Sequence, residues 1–171
     1  MTAVRRAAFA LGANLGDRAG ALRRAVDGLA RTPGLRVVAV SGWYDTEPVG
    51  GPDGQPAYLN AVVVADTDLT AAALLARANE LEAAEGRVRD VRWGPRTLDV
   101  DLLAVGAETS ADPDLTLPHP RAHERAFVLV PWAEVDPGFE VPGHGPVAAL
   151  LAALPAAERA GVRPARTGTP A

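Results

Sequence analysis

Arg87, Arg89, Arg92 and Arg96 crowd into one short stretch directly before Asp99 and Asp101. Alternate residues of a strand share a face and lie about 6.6 Å apart along it, so the two aspartates would present their carboxylates side by side. Such a pair can ligate two magnesium ions roughly 3.5–4 Å apart. Oxygen-only ligands select magnesium or manganese over softer metals. Arginine guanidinium groups are planar, permanently charged forks suited to phosphate oxygens. An anion grip beside a hard-cation clamp is what a nucleotide polyphosphate requires. Taken alone, the arginines could also be a solvated charge run, or an RNA patch with Trp93 as a stacking platform. The adjacent aspartates would repel an RNA backbone, whereas a metal-chelated nucleotide satisfies both signs of charge. Gly86 and the Gly94-Pro95 pair make this loop mobile or sharply turned, as a closing lid would be.

Other residues invite chemistry with less force. His119 and His123 are four apart, but no cysteine is present and H-E-x-x-H is incomplete, which leaves little for zinc. Beside Pro120, His119 reads better as an anion contact at a helix start, with Arg121 and Arg125 adding positive charge. Tyr58 and Asn60 share a strand face. With Trp43, Tyr44 and Phe127 they could be ordinary core, or they could hold a heterocycle whose lactam edge Asn60 reads. The P-loop and G-x-G-x-x-G signatures are absent, so a nucleotide site here has another construction.

These groups need a scaffold, and the bulk properties permit one. The chain has 171 residues, 48% of them hydrophobic and 22% charged, with a formal net charge of −4. That balance fits a globular protein and argues against general nucleic-acid binding. All 17 basic residues are arginine and no isoleucine occurs, a compositional bias that weakens any argument from Arg over Lys at one site. No apolar run approaches the roughly 20 residues of a membrane span. A cytoplasmic monomer is the expectation.

Along the chain, Ala7 to Leu11 predicts a strand ended by Gly12. Asp17 caps a helix over 18–31, and 35–44 alternates as a second strand. A loop follows over 46–56. Tyr58 to Ala65 predicts a third strand, Thr70 caps a helix to Glu85, and 98–104 predicts a fourth strand. Pro118 to Pro120 opens a helix that breaks before Pro131, and a short helix over 147–154 precedes the tail. Strand, helix, two strands, helix, strand is the βαββαβ order of an α+β ferredoxin-like sandwich with an antiparallel sheet. Both helices would lie on one face, leaving the other open for a site. One domain is expected over 1–158, including a C-terminal helical extension, with an unstructured tail over 159–171.

Taken together, L-G-A-N-L-G-D-R at 11–18, Y-D-T-E-P-V-G at 44–50, Y-L-N at 58–60, E-L-E-A-A-E-G-R-V-R at 80–89, R-W-G-P-R-T-L-D-V-D-L-L at 92–103 and L-P-H-P-R-A-H-E-R-A-F-V-L at 117–129 resemble the 6-hydroxymethyl-7,8-dihydropterin pyrophosphokinases. The resemblance implies transfer of the pyrophosphoryl group of ATP to the pterin hydroxymethyl in folate biosynthesis, releasing AMP. It implies that Asp99 and Asp101 hold two magnesium ions, and that Arg87, Arg92 and Arg96 contact phosphates while Arg89 lines a catalytic loop. Glu82, Thr116, His119 and Arg125 match nucleotide positions, as does Asn79, where the family often has glutamine. Thr46, Val49, Tyr58, Asn60, Trp93 and Phe127 match the pterin pocket. Two other readings remain from the residues themselves: a metal-dependent nucleotide hydrolase, or a non-enzymatic RNA-binding ferredoxin-like module.

Overall fold

The run Tyr58–Thr67 is rich in valine and alanine, and it becomes the central strand of a computed structural model that describes residues 3–46, 57–86 and 98–165. This strand, β4, follows β1 (Arg5–Ala13), β2 (Leu35–Val40) and β3 (Tyr44–Thr46) and precedes β5 (Asp99–Val105). β1 lies antiparallel between β4 and β5, and both β2 and β3 pair with the far edge of β4. With helices α1 (Arg18–Ala30) and α2 (Ala71–Ala84) as crossovers, this is the ferredoxin-like fold.

Local chemistry sets the element ends. The Asp17 carboxylate accepts from the Gly20 N–H at 3.1 Å, and the Thr70 hydroxyl accepts from the Ala73 N–H at the same distance. Each satisfies one orphan donor of the first turn. Leu22, Ala25 and Leu29 of α1 and Leu74, Ala78 and Leu81 of α2 pack on one face of the sheet, against Phe9, Leu11, Val63 and Val100.

The second strand is not continuous over 35–44. Ser41 interrupts it, because its side-chain hydroxyl, rather than a backbone carbonyl, accepts the Val62 N–H at 2.9 Å. The chain resumes as β3, so Thr46 belongs to a strand and not to the expected loop.

The opposite sheet face is less open than expected. After a hairpin of β6 (Ser110–Asp112) and β7 (Leu115–Leu117), the helix α3 (Ala126–Val135) lays Val128, Leu129 and Trp132 over Ala8, Val62, Val64 and Leu103. This helix runs through Pro131, where the sequence suggested a break. Proline inside a helix costs about 3 kcal/mol or more, and the burial of Val128, Leu129 and Trp132 to 3% exposure or less offsets it. No α-helix starts at Pro120; residues 122–124 form a single 3-10 turn.

Beyond α3 come a small hairpin, β8 (Glu140–Val141) with β9 (Gly145–Pro146), and the short helices α4 (Val147–Ala152) and α5 (Ala156–Ala160). The stretch expected to be unstructured is ordered through residue 165. There β10 (Arg163–Pro164) pairs antiparallel with β3, and Val162 is buried. A two-residue strand has no readable periodicity, and only the exposed edge of β3 makes it form. Among the described residues no helix is long and apolar enough to cross a membrane.

Candidate active site

Sheet register brings the sequence-selected residues into two groups. Asp99 lies across from Gly12, and Gly12 in turn lies across from Asn60. Asp101 lies across from Ala10, one step further along the same face. Tyr44 adjoins Asn60, and Thr46 adjoins Tyr58. Strands are spaced about 4.8 Å apart, so the Asp99 and Asn60 backbones stand roughly 10 Å apart with only Gly12 between them. This is the part of the face that α3 leaves clear.

Glycine at position 12 has a steric reason. A Cβ there would stand 2.9 Å from the Asn60 side-chain nitrogen, closer than carbon and nitrogen can approach. The Asn60 carbonyl oxygen accepts from the Thr46 hydroxyl at 2.5 Å, and both residues are buried. That bond fixes the amide and leaves its NH2 group turned toward Gly12. A strand-interior glycine often marks such a close approach; reading Gly12 only as the strand end missed it. On the expectation that Asn60 reads a heterocycle edge, Gly12→Ala should displace its amide and weaken heterocycle binding by about tenfold or more, with nucleotide binding unaffected. Equal affinity for the heterocycle in wild type and variant would show that the approach carries no function.

The second group surrounds a cavity of about 330 Å³ at the outer edge of β5. Asn79 and Glu82 of α2, Thr116 of β7, His119 and Asp101 all line it, with Leu75, Leu102 and Leu115 as apolar walls. The β7 end and the following residues reach β5 directly, where the His119 N–H donates to the Leu103 carbonyl at 2.8 Å. Glu82 is 5% exposed, and its carboxylate accepts the Val100 N–H at 2.8 Å. That hydrogen bond holds β5 at the residue between the two aspartates.

Burial, and then the nearby Arg125 and Arg121 cations, push the His119 imidazole down to about 4. His119 is thus neutral near pH 7. Its Nδ1 accepts from the Arg121 N–H at 3.3 Å, so in the neutral ring the other nitrogen carries the proton and is a donor. The helix-start argument for this histidine fails, since no helix begins there. The zinc reading gains no support: His123 stacks on His144, with ring centres 3.8 Å apart. Among the described residues no group of three His, Cys, Asp or Glu side chains could hold a metal. Arg125 lies with its guanidinium carbon 5.5 Å from the centre of the Phe127 ring, tying the two groups together.

Sequence reasoning did not find Glu134. Its carboxylate accepts from the Gly42 N–H at 3.1 Å and from the Tyr44 hydroxyl, so α3 anchors the start of β3. Burial, followed by that carboxylate, raises the Tyr44 hydroxyl to about 12. No local pattern links positions ninety residues apart. Val49, Arg87, Arg89, Arg92, Trp93 and Arg96 lie outside the described residues.

A model of the 7,8-dihydro-6-hydroxymethylpterin-pyrophosphokinase family matches residues 8–137. The chain belongs to this family. A pyrophosphokinase from Methylorubrum extorquens, described as acting on 2-amino-4-hydroxy-6-hydroxymethyldihydropteridine, is 50% identical over 139 residues, covering 81% of this chain and 87% of its own length. One of the same description from Mycobacterium leprae is 51% identical over 172 residues, covering 92% and 87% respectively. Among solved structures, wild-type HPPK-DHPS of Plasmodium falciparum, crystallised with SDX-DHP, superposes with a TM-score of 0.67 at 13% identity. That likeness shows the fold. It covers 89% of this chain and only 44% of the larger protein. The pyrophosphokinase family match runs from within β1 to just past the end of α3, and therefore takes in both groups of residues described above.

Proposed function

We infer that this chain transfers the pyrophosphoryl group of ATP to the hydroxymethyl of 6-hydroxymethyl-7,8-dihydropterin, giving the pterin diphosphate and AMP, as a step of folate biosynthesis. The observation that carries the residue assignment is that Asp101 lines the cavity at β5 while the partner aspartate, Asp99, shares a cross-strand row with Gly12 and Asn60. The carboxylates thus stand between a nucleotide site and a heterocycle site.

In this reading Asn79, Glu82, Thr116, His119 and Arg125 surround the nucleotide. The apolar walls suit a base, and neutral His119 donates a hydrogen bond from its protonated ring nitrogen. Thr46, Tyr58, Asn60 and Phe127 receive the pterin, together with Val49 and Trp93. The fixed Asn60 amide meets the ring edge, and Phe127 offers a stacking face. Arg87, Arg92 and Arg96 grip the phosphates and Arg89 lines the loop that closes over them.

Two half-buried carboxylates at alternate positions of one strand fit magnesium, which is commonly held by one or two carboxylates plus substrate phosphates and water. Asp99 and Asp101 would hold two such ions, which when bound would screen the triphosphate and polarise its β-phosphorus. The protein's own part is positioning: it aligns the pterin hydroxyl with that phosphorus and excludes water. The same reading makes the chain a cytoplasmic monomer acting on small molecules, with one domain that takes in β10 and so extends past residue 158. The hydrolase and RNA-binding alternatives gain nothing from the structure. A hydrolase needs no fixed Thr46–Asn60 pair, and the sheet face that an RNA module would make basic carries Asp99 and Asp101.

Because the triphosphate balances the charge of Arg87 to Asp101 before a neutral pterin can profit from it, nucleotide should bind first. Calorimetry should show firm pterin binding only with magnesium and a non-hydrolysable ATP analogue present. Pterin affinity that is the same without the analogue would contradict both the order and the shared site.

A further inference from the structure

Arg18, the first residue of α1, reaches two points at once. Its Nη1 donates to the Asp45 carboxylate at 3.3 Å and to the Ala57 carbonyl at 2.7 Å. Asp45 immediately precedes Thr46, and Ala57 immediately precedes Tyr58. Across the β3–β4 ladder Asp45 faces Leu59, and Leu59 belongs to the core under α1. Side chains alternate along a strand. Arg18 and Asp45 are therefore on the helix side of the sheet, while Thr46, Tyr58 and Asn60 are on the other.

We propose that Arg18 is a positioning residue for the pterin: from behind the sheet it holds the ends of β3 and β4 at the separation that lets Thr46 bond to Asn60. The inference rests on the assignment of Thr46, Tyr58 and Asn60 to the pterin. β3 has only three residues, so few ladder bonds hold it, and its other ties are the Glu134 carboxylate and β10. A charged donor bridging both strand ends restrains the splay between them. The ion pair is about one-third exposed on each side, 32% and 34%, so it adds little to global stability. Its effect is local. Arg18 makes no contact with the cavity at β5 that would take ATP.

The test compares Arg18→Met, Arg18→Lys and Asn60→Ala by thermal melting, by steady-state kinetics and by calorimetry of pterin binding with magnesium and a non-hydrolysable ATP analogue. Arg18→Met should weaken pterin binding and raise its KM roughly tenfold, with the KM for ATP and the melting temperature near wild type. The Lys variant, which keeps a positively charged donor at this position, should recover most of the loss. Unchanged pterin affinity in Arg18→Met, beside a clear loss in Asn60→Ala, would overturn the role of Arg18 and leave the pterin site standing. No loss in Asn60→Ala would overturn the site assignment itself, and the inference with it. Equal rises in both KM values with a lowered melting temperature would mean that Arg18 is merely structural. Should Arg18→Met not fold, Asp45→Asn removes the charge pairing while keeping the residue's size, and it should show the same pterin-selective loss in weaker form; unchanged pterin affinity there would count against the proposal.

Discussion

Replacing Asp101 or Asp99 by asparagine should lower kcat/KM on the order of a thousandfold, about 4 kcal/mol of transition-state stabilisation. Under the proposed function each change removes one anionic metal ligand beside the triphosphate, and asparagine keeps the shape. The two side chains are half-buried on a strand whose other residues, Val100, Leu102 and Leu103, supply the packing. The metal-free melting temperature should therefore move little. Turnover across a magnesium titration is the measurement, with higher magnesium recovering part of the loss. Near-normal turnover of both variants at ordinary magnesium would remove these carboxylates from the site.

Glu82→Leu should act on both stability and catalysis. The carboxylate is 5% exposed and accepts the Val100 N–H at 2.8 Å. Leucine would leave that buried donor without its partner, at a cost of about 2 kcal/mol. Val100 sits between Asp99 and Asp101, so a shift of β5 moves both. A displacement near 1 Å at reacting groups can cost roughly a hundredfold in rate. Glu82→Gln keeps an acceptor oxygen and should preserve most of the stability. Denaturant melts and kinetics of the pair check this: a Leu variant as stable and active as wild type would show that the α2–β5 tie is dispensable.

Much of this architecture is legible in the residues because its signals are local. Tyr58 to Thr67 is apolar and β-rich, Asp17 and Thr70 are side-chain caps at the right distance from periodic helices, and the period of two places Asp99 and Asp101 on one face. The cavity at β5 shows how far motif positions carry. Asn79, Glu82, Thr116 and His119 come from different elements and line one space. What stays hidden depends on partners distant in sequence. Ser41 breaks a strand through a hydroxyl aimed at Val62, and Pro131 survives in a helix because the sheet buries its neighbours. Glu134 and β10 both hold β3 from far along the chain. A helix opening at Pro118 to Pro120 and breaking before Pro131 is the expectation, yet the apolar run of α3 continues through Pro131 and covers the second sheet face. His119 lines the cavity at β5, but the premise that selected it does not hold, since its environment comes from burial and two arginines and not from a helix start.

Incubating the protein with magnesium, ATP and 6-hydroxymethyl-7,8-dihydropterin, and resolving nucleotides and pterins by chromatography, tests the central claim most directly. AMP and a diphosphorylated pterin should appear in equal amounts, and neither should form when pterin or magnesium is withheld. ADP as the nucleotide product, or nucleotide breakdown that ignores the pterin, would contradict it.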